Sequence, residues 1–312
     1  MAILIRPAKR VKKIKTKRAE EILARLQSYL DNNTDEPVRM LCGFWQDQQD
    51  AITYQELREA VKEGAMSEEI FRLWAQDYSV LVASKMRNIW EGAIQGGSMS
   101  QPVMNGLAFE FNTQTPGIMN WISERGAEFV TSSTMEQKEA IKALLAQKVI
   151  EGHTVDELSR LIRPCIGLRE DQVKANLRYY DKIVSTMKKD HPRMKPENVR
   201  KKALDAATKY AERQHRQRAF DIAQTEMAFA YNKGADEGVR QAQSQGLLGT
   251  MIKHWCTSGD DNVCDVCSGL EGAEISMDED FDFKGRVLYS GQKMLPPAHP
   301  RCACAVEYIE KR

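Results

Sequence analysis

The residues best suited to chemistry lie near the C-terminal end of the chain, where five of the seven cysteines follow position 255. A Cys-x2-Cys pair at Cys264 and Cys267 precedes a His-x2-Cys-x-Cys cluster at His299, Cys302 and Cys304. Sulfur and imidazole ligands in paired short spacings are typical of tetrahedral zinc. Five candidates therefore compete for the four ligand positions of a structural zinc ion, which is the cofactor that the pattern predicts.

The same residues leave other interpretations open. The thiols could form a disulfide in an oxidising medium, or they could stay inert. His299 with Cys302 or Cys304 could form the thiol–imidazole pair of a hydrolase. However, a nucleophilic cysteine rarely sits among four others, and no orienting acid is evident. A zinc nuclease would need more histidines and an open site. We therefore predict that the protein is not an enzyme.

Composition limits the class of protein. The 312 residues carry a formal net charge of +1, with 42% hydrophobic and 29% charged residues. These values are typical of a globular protein with a substantial core, and they argue against a bulk nucleic-acid coat. No apolar run is long enough to span a bilayer, and the apolar N-terminal segment is too short for a signal peptide. We expect folding in the cytosol, where reduced thiols favour metal over disulfide.

The elements that must position the cluster are mostly helices. From about Ala19 the apolar residues recur with the helical period. A stripe over Ile70–Trp90 predicts one long helix that is either core or a seam between proteins. Capping-box patterns at Thr53-x-x-Glu56, Ser133-x-x-Glu136 and Thr154-x-x-Glu157 each predict a helix start. The predicted fold class is mainly α with a small C-terminal α+β unit that zinc stabilises.

Short strands are expected after the long helices. Residues 251–256 have a strand-like pattern, and the alternation over 302–309 predicts a strand on which Cys302 and Cys304 share a face. Residues 271–283 carry six acids and no base, so we expect them to form an exposed excursion.

These patterns divide the chain into contiguous segments. Gly, Pro, Asn and Ser residues with scattered aromatics indicate a linker between two helical regions. The predicted segments are a basic N-terminal arm (1–18), an N-terminal helical region (19–95), a linker (96–117) and a C-terminal domain (118–312) that is helical over 118–249 and holds the strands and ligand cluster over 250–312.

Two stretches concentrate positive charge. Residues 6–18 hold eight Lys or Arg and no acid, which predicts an extended arm that meets nucleic acid or an acidic protein surface. Residues 188–218 hold eleven Lys or Arg against four acids, and this face could also contact DNA. In both stretches, a solvated surface is the alternative interpretation. The candidate contact residues of the arm are Lys9, Arg10, Lys12, Lys13, Lys15, Lys17 and Arg18.

The last long helix and the ligand cluster also form a combined pattern. Its residues are Arg218, Thr225, Glu226, Trp255 and Asp260, followed by the two cysteine pairs. In this order they resemble the phage head-morphogenesis family, the Mu F-like minor head proteins, over roughly residues 118–309. The chain departs from the family at Gln224 and Ala303, where relatives often have arginine. Many relatives also have other residues at positions 264–267, so metal binding rests on the cysteines of this chain.

The resemblance implies a minor capsid protein of the virion, located at the portal vertex or inside the head and assembled in the host cytoplasm. The implied partners are the portal protein, the major capsid protein or both. Double-stranded DNA is a further candidate partner, and no membrane is implied. The implied roles are head assembly and DNA packaging or ejection. A DNA-binding virion protein that uses the basic arm and the 188–218 face is the alternative.

The family motif implies structural side chains, and no catalytic residue is carried over. Thr225 and Glu226 lie in the middle of the helix, where we expect the carboxylate to hydrogen-bond a neighbouring loop. Trp255 and Asp260 are candidates for the other side of that contact. Asp260 could equally cap the turn at Ser258. We also expect the C-terminal domain to fold on its own and the N-terminal helices to attach it to the portal or inner capsid.

Overall fold

The computed structural model describes residues 15–151, 154–259, 263–283 and 293–311, with the backbone alone over 147–151. It is mainly helical with a small antiparallel sheet near the C-terminus, so the predicted architecture is confirmed. The helices are α1 (Lys17–Asn33), α2 (Asp35–Ala51), α3 (Tyr54–Glu63), α4 (Glu68–Leu81), α5 (Arg87–Ser98), α6 (Pro116–Glu151), α7 (Val155–Ile162), α8 (Glu170–Asp190), α9 (Pro196–Ser244) and α10 (Asp265–Leu270). The strands are β1 (Met251–Cys256), β2 (Glu274–Ser276) and β3 (Ala305–Glu310). None of the helices described here is long and apolar enough to cross a membrane.

Contacts divide the chain into two compact units, each built from separate stretches of sequence. The first unit comprises Met1–Asp35, Lys85–Arg125 and Asp221–Arg312. The second comprises Glu36–Ser84 and Gly126–Phe220. Helices α6 and α9 contribute residues to both units, so the segment expected to be the C-terminal domain is shared between them. Whether that segment folds on its own stays a prediction.

The second unit has a continuous apolar core. Trp74 of α4, Leu144 of α6 and Leu161 of α7 are among its buried side chains. The capping boxes predicted at Thr53 and Thr154 are both present, and they open α3 and α7. Each box satisfies backbone N–H groups that the first turn of a helix otherwise leaves without partners.

One of the helix predictions is wrong. Ser133 does not start a helix but lies inside α6, because apolar residues before and after it continue the helix without a break. The helix predicted over Ile70–Trp90 is helical throughout, but a π-helical turn over Val82–Met86 divides it into α4 and α5. A π turn widens the helix locally and changes which side chains face the core.

Most of the apolar stripe of these two helices is buried within the protein, and Leu73 is an exposed exception. Trp74 and Tyr78 belong to the second unit, whereas Met86 and Trp90 belong to the first, and all four are buried. The Tyr78 hydroxyl donates to Oε1 of Gln137 at 2.9 Å, which fixes the ring in the core. These contacts favour the core interpretation over a seam between proteins.

In the first unit, α5 and α9 approach each other backbone to backbone. A Cβ atom on Gly234 would lie 2.0 Å from the carbonyl oxygen of Ile94. A Cβ atom on Gly97 would lie 2.0 Å from the carbonyl oxygen of Tyr231. Neither position has room for a side chain, so the crossing requires glycine on both helices.

The three strands of the first unit form an antiparallel sheet in the order β2-β1-β3. Lys253 and Trp255 share one face of β1 and are fully buried. Trp255 lies opposite Val306 of β3. Gln101, in the predicted linker, donates from Nε2 to the carbonyl of Val306 at 3.0 Å. This part of the linker is therefore fixed to the sheet.

The acidic segment over 271–283 is not an exposed excursion. Phe281 and Phe283 are buried beside Trp255, with ring centroids 4.9 and 5.8 Å from the indole in edge-on contacts. Burial of two aromatic rings outweighs the acidic composition, because each ring removes a large apolar area from water.

Candidate metal centre

The two cysteine motifs meet in the first unit. Sγ of Cys267 lies 3.3 Å from Nε2 of His299 and 3.7 Å from Sγ of Cys302. The ligand atoms of Cys264, Cys267 and His299 all lie within 4.8 Å of one another, as do those of Cys267, Cys302 and Cys304. The structure thus brings together all five candidates from the sequence, with Cys267 common to both groups.

A short helix presents the first pair of thiols. Cys264 is the N-cap of α10, and its Sγ accepts a hydrogen bond from the backbone N–H of Cys267 at 3.4 Å. The cap turns both sulfurs to the same side of the first helical turn. Both side chains are buried.

A tight turn presents the second motif. The backbone N–H of Cys302 donates to the carbonyl of His299 at 3.1 Å. Arg301, between them, has a positive φ of 60°, which L-residues adopt only when their surroundings require it. The strand predicted over 302–309 begins only at Ala305. Cys304 and Cys302 therefore reach the cluster through the turn rather than through a shared strand face.

Helix α9 supports this turn at two points. The backbone N–H of Arg301 donates to Oγ1 of Thr225 at 3.0 Å. Nδ2 of Asn232, two helical turns further on, donates to the carbonyl of Cys304 at 3.4 Å. The sequence predicted a loop contact for the carboxylate of Glu226, whereas in the structure the hydroxyl of Thr225 makes one, with the loop that carries the candidate ligands.

Close contacts redistribute protons within the cluster. The hydrogen bond with Cys267, together with contacts to His299, lowers the pKa of Cys264 to about 4 against the effect of burial. Burial lowers the pKa of His299, but contacts with Cys264 and Cys302 outweigh it and raise that pKa to about 11. The pKa of Cys302 falls because the neighbouring thiol of Cys267 hydrogen-bonds its charged form. Thiolates are the form of cysteine that binds metal.

The geometry matches metal ligands better than a disulfide. Two sulfurs bound to tetrahedral zinc at about 2.3 Å are about 3.8 Å apart. Bonded sulfurs are about 2.05 Å apart. The separation of 3.7 Å between Cys267 and Cys302 matches the first value, and all seven cysteines are free thiols.

The hydrogen-bond partners of Glu226 are residues that the sequence prediction did not name. Its buried carboxylate accepts from Nε of Arg125 at 2.8 Å and from Nε1 of Trp90 at 3.1 Å. Trp255 is therefore the wrong candidate for this contact, and its side chain contacts the thiol of Cys304 instead. Asp260 lies outside the described residues. A signal for the true partner was present, because Arg125 interrupts the apolar face of α6 and a buried cation there needs an acid.

The remaining motif residue, Arg218, lies in the second unit and not at the metal centre. Its Nη1 donates to the carbonyl of Gly167 at 2.6 Å, and its Nη2 donates to Oε2 of Glu136 at 2.6 Å. The guanidinium also lies over the ring of Trp45, 5.3 Å from its centroid. Arg218 is a structural residue that links α9 to two neighbouring elements.

A second group of possible ligands lies on the sheet. The ligand atoms of His254, Cys256 and Glu307 fall within 4.8 Å of one another because His254 pairs with Glu307 in the β1–β3 register. Burial raises the pKa of Cys256 to about 12, which keeps the thiol protonated. Oγ1 of Thr16 also donates to Glu307 at 3.2 Å. These features favour a hydrogen-bonded structural cluster over a second metal site.

The basic arm is described only at its end. Lys9, Arg10, Lys12 and Lys13 lie outside the described residues. Lys15 donates to the carbonyl of Thr257, and Thr16 caps α1. Lys17 and Arg18 are exposed residues of the first turn of α1, so the predicted arm ends two residues earlier than expected.

Comparison with known proteins identifies the family. A family model described as Phage Mu protein F like protein matches residues 139–307, which is more than half of the chain and includes all five candidate ligands. A search of curated proteins and a search of solved structures found no match. The match confirms the resemblance seen in the sequence. This protein therefore belongs to the Phage Mu protein F like family of phage head-morphogenesis proteins.

Proposed function

We propose that the protein is a minor capsid component that binds the portal or the inner capsid, acts in head assembly and takes part in DNA packaging or ejection. The observation that carries this proposal is the family match over residues 139–307. Within the matched region, Thr225 and Asn232 of α9 form hydrogen bonds with the turn that carries the candidate ligands. Hydrogen bonds from one rigid helix to a loop suit a structural role, in which no group has to move.

A contact with the portal would not use the large aromatic residues of α4 and α5. Trp74, Tyr78 and Trp90 are buried within the protein and have no surface to offer a partner. The N-terminal helices would attach the protein through exposed residues, which in α4 include the apolar side chains of Leu73 and Val80.

Particle composition tests the proposed role. The full chain with a small tag is expressed during infection, and heads with and without portal are purified and washed at high salt. We expect the protein in few copies on portal-containing heads. Absence from all head particles, together with normal assembly and DNA delivery when the protein is missing, would contradict the proposal.

A second candidate function, DNA contact, is favoured by one feature of α9. Lys202, Lys209, Arg213 and Arg216 are all exposed and lie on one helical face, with spacings of seven, four and three residues. We call these four residues the basic row. At about 1.5 Å per residue, the row extends about 21 Å. Arg218 is not part of it, because its side chain is buried and paired.

The basic row ends at a cavity in the second unit. Arg216 lines this cavity of about 490 Å³ together with Arg160 and Arg163. Arg163 is held in place because it donates to the carbonyl of Ile52 at 2.5 Å and lies 4.0 Å from the ring centroid of Tyr54. A row of cations that leads to two further arginines suits the phosphates of a DNA backbone.

Salt dependence tests the DNA contact. Each phosphate contact contributes about 0.9 to the slope of log K against log salt. The double variant Lys209→Gln/Arg213→Gln should lower that slope by about 1.8. Lys62→Gln/Lys182→Gln, on exposed positions of α3 and α8, is the matched control. Equal slopes for the two double variants would show that the basic row is only a solvated face.

A further inference from the structure

We propose that the cluster is a structural zinc centre with Cys264, Cys267, His299 and Cys302 as its four ligands and Cys304 as a thiol outside the coordination sphere. This assignment does not depend on the head-protein role. The sequence offers five candidate ligands, and a tetrahedral site binds four. The different contacts that His299 and Cys304 make within the cluster are the reason for including the former and excluding the latter.

His299 contacts more of the cluster than Cys304 does. Nε2 of His299 lies 3.3 Å from Sγ of Cys267, and the ring also contacts the thiols of Cys264 and Cys302. The sulfur of Cys304 lies within 4.8 Å of those of Cys267 and Cys302, but among the described residues it forms no such group with Cys264 or His299. Cys302 contacts both Cys267, at 3.7 Å, and the ring of His299, so it is better placed than Cys304 to share one metal ion with them.

The imidazole of His299 is also oriented for metal binding. Its Nδ1 lies 2.9 Å from the carbonyl of Pro300, which can only accept, so Nδ1 carries a proton. A metal ion would displace the proton of the other nitrogen, Nε2, whose lone pair would then be free to bind it on the side that faces Cys267. Such a second hydrogen bond is typical of histidines that bind zinc.

Thr225 is a positioning residue for this centre. It accepts from the backbone N–H of Arg301, which lies between His299 and Cys302 and has a positive φ. Without that acceptor, Arg301 has less reason to keep its left-handed conformation, and the two ligands on either side of it would separate. A site with four protein ligands leaves no position for water, so its role is structural rather than catalytic.

The first experiment uses the unaltered full chain purified without oxidant. We expect elemental analysis to find one zinc per chain. X-ray absorption should find three sulfurs at about 2.3 Å and one nitrogen at about 2.0 Å. A metal-free protein whose thiols are all titratable or disulfide-bonded would overturn the centre. A shell of four sulfurs would overturn the ligand assignment by placing Cys304 on the metal.

Matched variants test the same assignment independently. Cys304→Ser should keep one zinc per chain, whereas Cys302→Ser and His299→Ala should lose it. Zinc retained in His299→Ala and lost in Cys304→Ser would reverse the assignment. If a ligand variant does not fold, the absorption spectrum of the unaltered chain still decides.

The role of Thr225 has its own readout. Thr225→Val should lower zinc affinity about tenfold in chelator competition, a typical loss for groups that orient ligands. Thr225→Ser keeps the hydroxyl and should restore the affinity. Equal affinities in all three proteins would show that Thr225 only stabilises the fold.

Discussion

The second unit and the cysteine-rich end of the first unit both have apolar cores, but the core of the latter also holds a cluster of candidate metal ligands. In the second unit, helices α4, α6, α7 and α8 share one apolar core, and capping boxes fix where α3 and α7 begin. At the end of the first unit, four buried thiols lie in a cluster that also contains Trp255 and Phe281. Apolar area stabilises both regions through many small contributions, and the zinc that we propose would add a few strong contacts at the cysteine-rich end.

This difference shows what each kind of sequence pattern encodes. Helical periodicity is local, so each helix of the second unit can be recognised from its own residues. The ligand cluster joins positions 264–267 to 299–304, and only the fold brings them together. Loss of one ligand should therefore disrupt the whole metal site, whereas loss of one core side chain should remove only part of the stability of the second unit.

Loss of one cysteine should have the largest effect. We expect Cys267→Ala to abolish zinc binding and to expose the chain beyond Gly249 to proteolysis, while α7 and α8 stay protected. Structural zinc in small peptides is worth about 10–16 kcal/mol, well above any single core contact. Cys165→Ala, in the apolar core of the second unit, is the control and should keep both zinc and protease resistance. Equal cleavage of the two variants would remove the contrast between the regions.

Truncation in the apolar core should have an intermediate effect. Leu144 is fully buried, so Leu144→Ala should destabilise the protein by about 2–5 kcal/mol in denaturant unfolding. Zinc content should remain one per chain, because the residue belongs to the second unit. Loss of zinc in this variant would mean that the two regions are not independent.

A pH effect in the second unit should be the smallest. Burial, and to a lesser extent the nearby Arg218 cation, lowers the pKa of His215 to about 4. The unfolded state then binds a proton more readily than the folded state, so stability falls as pH drops from about 6.5 towards 4. We expect a loss of about 1 kcal/mol at pH 5.5 relative to pH 7.5.

The matched variant His215→Gln keeps a donor for the carbonyl of Ile166, which Nε2 of His215 contacts at 2.8 Å. It removes the titrating group, so its stability should change less between these two pH values. The same pH dependence in both proteins would assign the effect to other groups, including the metal centre.

The sequence predicted the helical architecture and the five residues of the cluster, because both depend on short spacings. It failed where tertiary contacts decide. Ser133 has the sequence pattern of a helix start but lies in the middle of α6. Residues 271–283 have an acidic composition, but Phe281 and Phe283 fix them to the core through contacts with Trp255. In both cases the local composition suggested one structure, and the burial of apolar residues nearby produced another.

The motif residues show that the same limit applies to the contacts of single side chains. The loop contact was expected of the Glu226 carboxylate, but the Thr225 hydroxyl makes it, and spacing could not show that the loop is the ligand-bearing turn. The partners of Glu226 are Arg125 and Trp90, which lie more than one hundred positions away in sequence. No local pattern links residues at that separation, although an arginine on an apolar helical face indicates that a buried acid must exist.

Hydrogen exchange of the full chain, before and after zinc is removed by a chelator, tests the difference between the regions most directly. We expect the amides of β1 and β3 to lose most of their protection when zinc is removed, and those of α7 and α8 to keep theirs. Return of zinc should restore the protection. Unchanged exchange in β1 and β3, or an equal loss of protection in both regions, would contradict the proposal that zinc stabilises the C-terminal end of the first unit but not the helices of the second.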